Sequence, residues 1–255
     1  MSNSLSKKVH SIYIPKLLDL VKRSASRRGI AIGKIADVPE YRMVTESMGR
    51  TNVDLVLDLG ANRGQFAKGI RSAGYTNEIF SFEPAPDVFK LLEAVKSGDM
   101  KWKIFNLAII DTDEKSIQLN VTSNMGYSSS ILNFSPLGNE IYPEIDVLYS
   151  IDVPCKTLIK VLEEVSTEAR IYIKADIQGF EAKLFRKFDL RADRRIKGVM
   201  IEISLIEIYD GEWGISEAIS YFENNGFTLV GVTPEDHDEN FGHPQVNLYF
   251  EKRSN

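Results

Sequence analysis

The stretch VLDLGANRGQF, residues 56–66, decides the fold. It continues a short apolar run that begins at residue 53 and reads as a strand covered on both faces. Residues 65–73 carry helical spacing and stop at Gly74. Between strand and helix, Gly60 permits a sharp turn and lets a ligand come close to the backbone. The helix behind it aims free N–H groups and the positive end of its dipole at that turn, which favours a carboxylate or phosphate. A dinucleotide-binding loop needs G-x-G-x-x-G; here Gly60 and Gly64 are four apart, and Asn62 takes the middle place. Asp58 would repel a pyrophosphate and attract the ammonium of an amino-acid moiety.

Outward from this unit, strand and helix alternate. Strands are expected at 78–82, 103–107, 171–175 and 199–203, with helices at 86–96, 180–188 and 215–224. A strand at 150–153 and a helix at 155–165 resume the rhythm after an irregular stretch, and 117–121 reads as an added edge strand. Residues 122–150 hold Gly126, Ser128, Ser129, Ser130, Pro136, Gly138 and Pro143, the composition of a binding loop or lid. Strands at 227–232 and 246–250 have no helix between them, so they pair antiparallel. The class is α/β: an open, mostly parallel, Rossmann-like sheet with helices on both faces. Residues 1–50 form a separate basic helical extension, with helices expected at 11–23 and 40–48, and residues 51–255 form the main domain.

Glu83 ends the second strand, 25 residues after Asp58, where a carboxylate accepts hydrogen bonds from both hydroxyls of a ribose. Asn106 and Ala108, at the end of the third strand, are placed to line an adenine. These features indicate an adenosine ligand and leave an NAD-dependent oxidoreductase open. Asn62, and the lack of a Tyr-x-x-x-Lys pattern for hydride chemistry, weigh against that class.

Four blocks, DLGANRGQF at 58–66, SFEP at 81–84, SSSI at 128–131 and IKADIQGFEAKLF at 173–185, together resemble the FkbM-type family of S-adenosylmethionine-dependent methyltransferases. A weaker fifth block is MIEIS at 200–204, followed by Tyr209 and Gly211. The resemblance implies the class I methyltransferase fold, a seven-stranded sheet with its last strand antiparallel. It also implies that Asp58, Gly60, Asn62, Gly64 and Glu83 contact S-adenosyl-L-methionine. Ala61, Phe66, Pro84, Asn106, Ala108 and Asp176 complete the expected cofactor set. Ala175 departs from the family pattern, where a larger apolar residue is usual. Many relatives methylate hydroxyls, so the expected acceptor is a sugar, a glycan or a small secondary metabolite. A non-catalytic S-adenosylmethionine-binding module is the alternative outside enzymes.

Asp176 ends the fourth parallel strand beside the switch point of the sheet, where open α/β proteins bind ligands. With Glu202 and His243 it makes the expected catalytic group: carboxylates as base or hydroxyl anchor, and an imidazole that titrates near neutrality. Ser128, Ser129, Ser130, Gln178 and Glu181 are the expected acceptor contacts. No metal-ligand spacing is present, and Asp111-Thr112-Asp113 reads as turn chemistry. The one cysteine, Cys155, excludes an internal disulfide.

The chain has 255 residues and a net charge of -5, with 43% hydrophobic residues, as in an ordinary globular protein. No secretory signal or 18-residue apolar run is present, so the expected location is the cytoplasm. The charge is uneven. Residues 1–34 carry eight Lys and Arg against the single acid Asp19, an arm suited to peripheral contact with an anionic membrane surface. The acidic body and the lack of a nucleic-acid-binding motif point away from RNA or DNA as partner. Oligomeric state is not legible.

Overall fold

The computed structural model describes residues 38–96, 98–124, 126–235 and 242–253. The 11–23 helix, the basic arm and His237 lie outside the described residues. Elements run α1 (Pro39–Arg50), β1 (Leu55–Leu59), α2 (Gln65–Ser72), β2 (Glu78–Phe82), α3 (Pro86–Lys96), β3 (Trp102–Phe105), β4 (Ala108–Ile110) and β5 (Ser116–Thr122). They continue through α4 (Pro136–Ile141), β6 (Val147–Thr157), α5 (Leu158–Glu163), β7 (Ile171–Ala175), α6 (Glu181–Arg186), β8 (Ile196–Ser204), α7 (Ile215–Asn224), β9 (Phe227–Pro234) and β10 (Gln245–Lys252).

Seven strands form the main sheet in the order β3-β2-β1-β7-β8-β10-β9. All neighbours from β3 to β8 are parallel, and β10 is antiparallel to both β8 and β9. This is the expected mostly parallel seven-stranded sheet with its last strand antiparallel. The order reverses between β1 and β7, so their C-terminal ends open a crevice.

Side chains alternate across the pleat, and the two faces bury different cores. Leu55, Leu57, Leu59, Ile173 and Ile201 join the larger core, with α5, α6 and α7. Val56, Ile79, Tyr172, Met200 and Tyr249 join the smaller one, covered by α1 and α2. On that second face the register sets Ser81, Asp58, Lys174, Met200 and Tyr249 in one row across β2, β1, β7, β8 and β10. A buried row that begins with three polar side chains needs internal partners for each, and those partners build the site.

Two expectations change. Residues 122–150 are not one loose lid: α4 sits within them, begun by Pro136 and capped by Ser135 Oγ, which accepts from the Gly138 N–H at 2.9 Å. β6 already starts at Val147. The strands expected at 117–121 and 150–153 do not extend the main sheet. They are β5 and the middle of β6, in a second, three-stranded sheet ordered β4-β6-β5. Alternating polar and apolar residues gave the strands but not which sheet they join. Among the described residues no helix is long and apolar enough to cross a membrane.

Candidate active site

A cavity of about 590 Å³ opens at the C-terminal ends of β1, β2, β7 and β8. Its floor is the turn between β1 and α2. Gly60 has φ +73°, and a Cβ there would lie 1.9 Å from the Asp176 carbonyl oxygen, so only glycine lets β1 and β7 end side by side. Asn62 also has positive φ (48°), with its side-chain oxygen accepting from the Arg63 N–H at 2.8 Å. Gly64 starts α2 in the left-handed region, and a Cβ there would strike Trp102 and Leu92. It serves packing and does not line the cavity.

Glu83 stands at the end of β2, buried, with one carboxylate oxygen accepting from the Asn62 N–H and the other from the Ala85 N–H, both at 2.8 Å. Each oxygen keeps lone pairs for a further donor. Burial pushes this carboxyl up to about 7, against the pull of the two N–H groups. Two ribose hydroxyls donating to it would stabilise its charged form. Asn106, expected at the adenine, instead donates to the Glu83 and Pro84 carbonyls at 2.8 and 3.0 Å, bracing the strand end from outside the cavity. The wall beyond Glu83 is made by Phe82, Pro84, Leu107, Ala108, Ile131 and Tyr127, apolar surface that suits a purine. Above it Arg63 lies over the Tyr127 ring at 5.1 Å. The acceptor pair at Glu83, the glycine turn and this wall fit an adenosyl group.

Asp58 departs from expectation. It is fully buried below the turn and does not line the cavity. One oxygen accepts from Ser81 Oγ at 2.7 Å, and the other faces Lys174 Nζ at 3.6 Å. Trp102 Nε1 donates to the same Ser81 hydroxyl at 2.9 Å and completes the chain. Lys174 also donates to the Gly60 carbonyl at 2.8 Å and pairs with Asp176 at 3.2 Å. Burial raises the Asp58 carboxyl, and Lys174 opposes that rise. Burial would lower the lysine, but Asp176 and Asp58 outweigh it and hold Lys174 protonated above its ordinary value. The ammonium thus ties the glycine turn to the end of β7. Sequence reasoning missed it; the signal was Lys174 two residues before Asp176, in a strand otherwise apolar.

Asp176, Gln178, Glu202 and Ser128, Ser129 and Ser130 also line the cavity. Gln178 has positive φ (56°), and its amide donates to Asp176 at 2.8 Å and to Glu202 at 3.4 Å. Tyr209 Oη donates to the Gln178 amide oxygen at 2.5 Å, and Ser130 Oγ to the Gln178 carbonyl at 2.6 Å. Gln178 is therefore the hub that joins the β7–α6 turn to the serine loop. Gln245 donates to Glu202, and burial with Asp176 nearby pushes the Glu202 carboxyl well up. Glu181 does not line the cavity. It is buried behind the turn, accepts from the Ile177 N–H at 2.6 Å, and is pushed up to about 8 by burial. Its place is to brace the turn that carries Asp176 and Gln178.

His243 is also outside the cavity lining; its Nδ1 lies 3.2 Å from the Glu235 carbonyl oxygen. Asp113 pairs with Lys160 at 2.7 Å, as a turn residue would. Among the described residues no group of three metal-ligand side chains comes together. The structure adds residues that no motif signalled: Glu40 and Tyr41 from α1, Glu235 after β9, and Gln245 and Asn247 from β10 all line the cavity.

The family described as the Methyltransferase FkbM domain matches residues 58–229. Among solved structures, the FkbM methyltransferase of Methylobacillus flagellatus KT is similar at 13% identity and a TM-score of 0.45, over 78% of this chain and 44% of that one. Magnesium protoporphyrin IX methyltransferase of Synechocystis PCC 6803, solved with bound S-adenosylmethionine, gives 8% and 0.47, over 84% and 77%. Aeropyrum pernix fibrillarin, with natively bound S-adenosyl-L-methionine, gives 16% and 0.42, over 77% and 66%. No curated protein matches.

Proposed function

The chain belongs to the methyltransferase FkbM family, with S-adenosylmethionine as its cofactor, and from that premise we propose that it methylates a hydroxyl of a polar acceptor. The acceptor class is a sugar, a glycan or a hydroxylated secondary metabolite. One observation carries the reading. Asp176, Gln178, Glu202 and the three serines line the same cavity as the apolar surface that suits a purine. Such a set of polar side chains suits a hydroxylated ligand, since each ligand hydroxyl both donates and accepts.

S-adenosylmethionine supplies a methyl group already activated by its positive sulfur. The protein's work is then alignment, exclusion of water and removal of one proton. Glu83 holds the ribose, and the Gly60–Asn62 turn with Ala61 and Phe66 seats the rest of the donor. Asp176 accepts the proton as the acceptor oxygen bonds to the methyl carbon and the carbon–sulfur bond breaks, leaving S-adenosylhomocysteine. Lys174 and Gln178 fix the two Asp176 oxygens in direction, so the carboxylate cannot swing away. Glu202, whose carboxyl burial and Asp176 push well above the usual carboxylate range, hydrogen-bonds an acceptor oxygen and orients it. His243 takes no part in this scheme. The catalytic unit is residues 51–255, and α1 docks on it to close one wall of the cavity.

The test incubates the protein with radiolabelled S-adenosylmethionine and a panel of glycans, small polyols, RNA and cell extracts. Label in a glycan or polyol fraction, strongly reduced in Asp176→Asn, supports the reading. Label that stays with RNA, or transfer unaffected by Asp176→Asn, refutes it.

A further inference from the structure

The methionine end of the cofactor carries an ammonium, and the carboxylate expected to receive it is not in the cavity. Asp58 is buried beneath the glycine turn and committed to Ser81 and Lys174. A different carboxylate lines the cavity. Glu40, in the first turn of α1, is half-buried there beside Tyr41. Among the described residues it accepts no hydrogen bond and forms no ion pair, while Lys174, Asp176 and Glu235 surround it closely enough to act on its charge.

α1, which carries Glu40, packs against α2 and β9. The Tyr41 ring packs against α2 where Gly69 leaves room, since a Cβ at Gly69 would be 2.3 Å from the ring. Met43 fills the space over Gly231 of β9, and Val44 and Met48 are buried in the core of that face. Arg50 pairs with Glu251 of β10 at the helix end. A first-turn carboxylate on a docked helix is thus presented to the cavity without a direct ion pair, Lys174 acting on it only at longer range. Burial and then Glu235 push Glu40 up to about 7, against the pull of Lys174, and a further bound cation relieves that cost.

We propose that Glu40 is the anchor for the ammonium of the methionine moiety, supplied by a helix that lies outside the family-matched residues 58–229. The inference rests on the cofactor assignment above and adds a binding residue to it. It also makes α1 part of the cofactor site.

The test is calorimetry with two probes. S-adenosylhomocysteine carries the amino-acid end, and 5′-methylthioadenosine lacks it. Glu40→Gln keeps size and shape, so it is expected to weaken S-adenosylhomocysteine about ten- to hundredfold, the loss of one charge-assisted hydrogen bond. It is expected to leave 5′-methylthioadenosine unchanged. Glu46→Gln, on the exposed face of the same helix, is expected to change neither. Unchanged affinity of Glu40→Gln for S-adenosylhomocysteine overturns the proposal. Equal weakening of both probes also overturns it, because that outcome belongs to a residue that only shapes the cavity. Failure of the wild type to bind either probe removes the cofactor assignment itself, which keeps the two failures distinct.

Discussion

Replacing Lys174 by methionine keeps most of the side-chain length and removes the charge together with its N–H donors. In the wild type the ammonium faces Asp58 at 3.6 Å and Asp176 at 3.2 Å and donates to the Gly60 carbonyl. Asp176 is 30% exposed and water can take over its charge, but Asp58 is fully buried. The cost is therefore concentrated on Asp58, which keeps only the Ser81 hydroxyl. Breaking a buried pair from one side costs about 3–5 kcal/mol, a large share of a domain stability of about 5–15 kcal/mol. Asp58→Asn in the same chain removes the stranded charge, so the double variant is expected to recover about 2 kcal/mol or more relative to the sum of the singles. Urea unfolding of the four proteins at pH 7.5, without ligand, measures both quantities. The sign with pH is fixed as well. In Lys174→Met the folded Asp58 carboxyl sits above its unfolded value, so the deficit is full at high pH. It shrinks as pH falls toward the unfolded carboxyl range. A loss below about 1 kcal/mol, or strict additivity of the two substitutions, refutes the ion-pair account of the glycine turn.

Glu83, at about 7 without ligand, should release protons when ribose hydroxyls bind it. Calorimetry at pH 7 in buffers of different ionisation enthalpy should show that release, reduced in Glu83→Gln, with affinity rising as pH increases toward about 7. Glu181, raised to about 8, destabilises the fold progressively between the ordinary carboxyl range and that pH. The slope is at most about 1.4 kcal/mol per pH unit, and urea unfolding of Glu181→Gln should show a flatter profile. Gly60→Ala forces a methyl into the Asp176 carbonyl at a positive φ, and should cost about 3 kcal/mol or more of stability together with most cofactor binding. Asp176→Asn should lower methyl transfer at least about a hundredfold, as for loss of a general base, while calorimetry shows cofactor affinity little changed.

The sheet was legible because local patterns report it directly. Buried runs such as 171–175 can only be central strands, and Gly60 between strand and helix marks the crevice. Membership of the second sheet was not legible, since β5 alternates in the same way whichever strand it pairs with. The site divided along the same line. Glu83, Asp176, Gln178 and the serine run are local to strand ends or loops, and the structure lines the cavity with them. Asp58, Gly64 and Glu181 lie within the motifs and Asn106 outside them, and all four serve packing or brace the turns. Glu40, Gln245 and Asn247 reach the cavity through contacts between distant segments, which no periodicity encodes. Lys174 was readable in principle: a lysine in a strand buried on both faces must find a counter-charge inside.

Transfer to oxygen is the central claim, and the bonded atom can be read directly. The protein is incubated with S-adenosylmethionine labelled with ¹³C in its methyl group, together with the acceptor fraction that takes up label, and the product is examined by carbon NMR. An O-methyl ether resonance, absent from the Asp176→Asn reaction, is the expected result. A methyl resonance on nitrogen or carbon, or an ether signal that Asp176→Asn leaves undiminished, contradicts it.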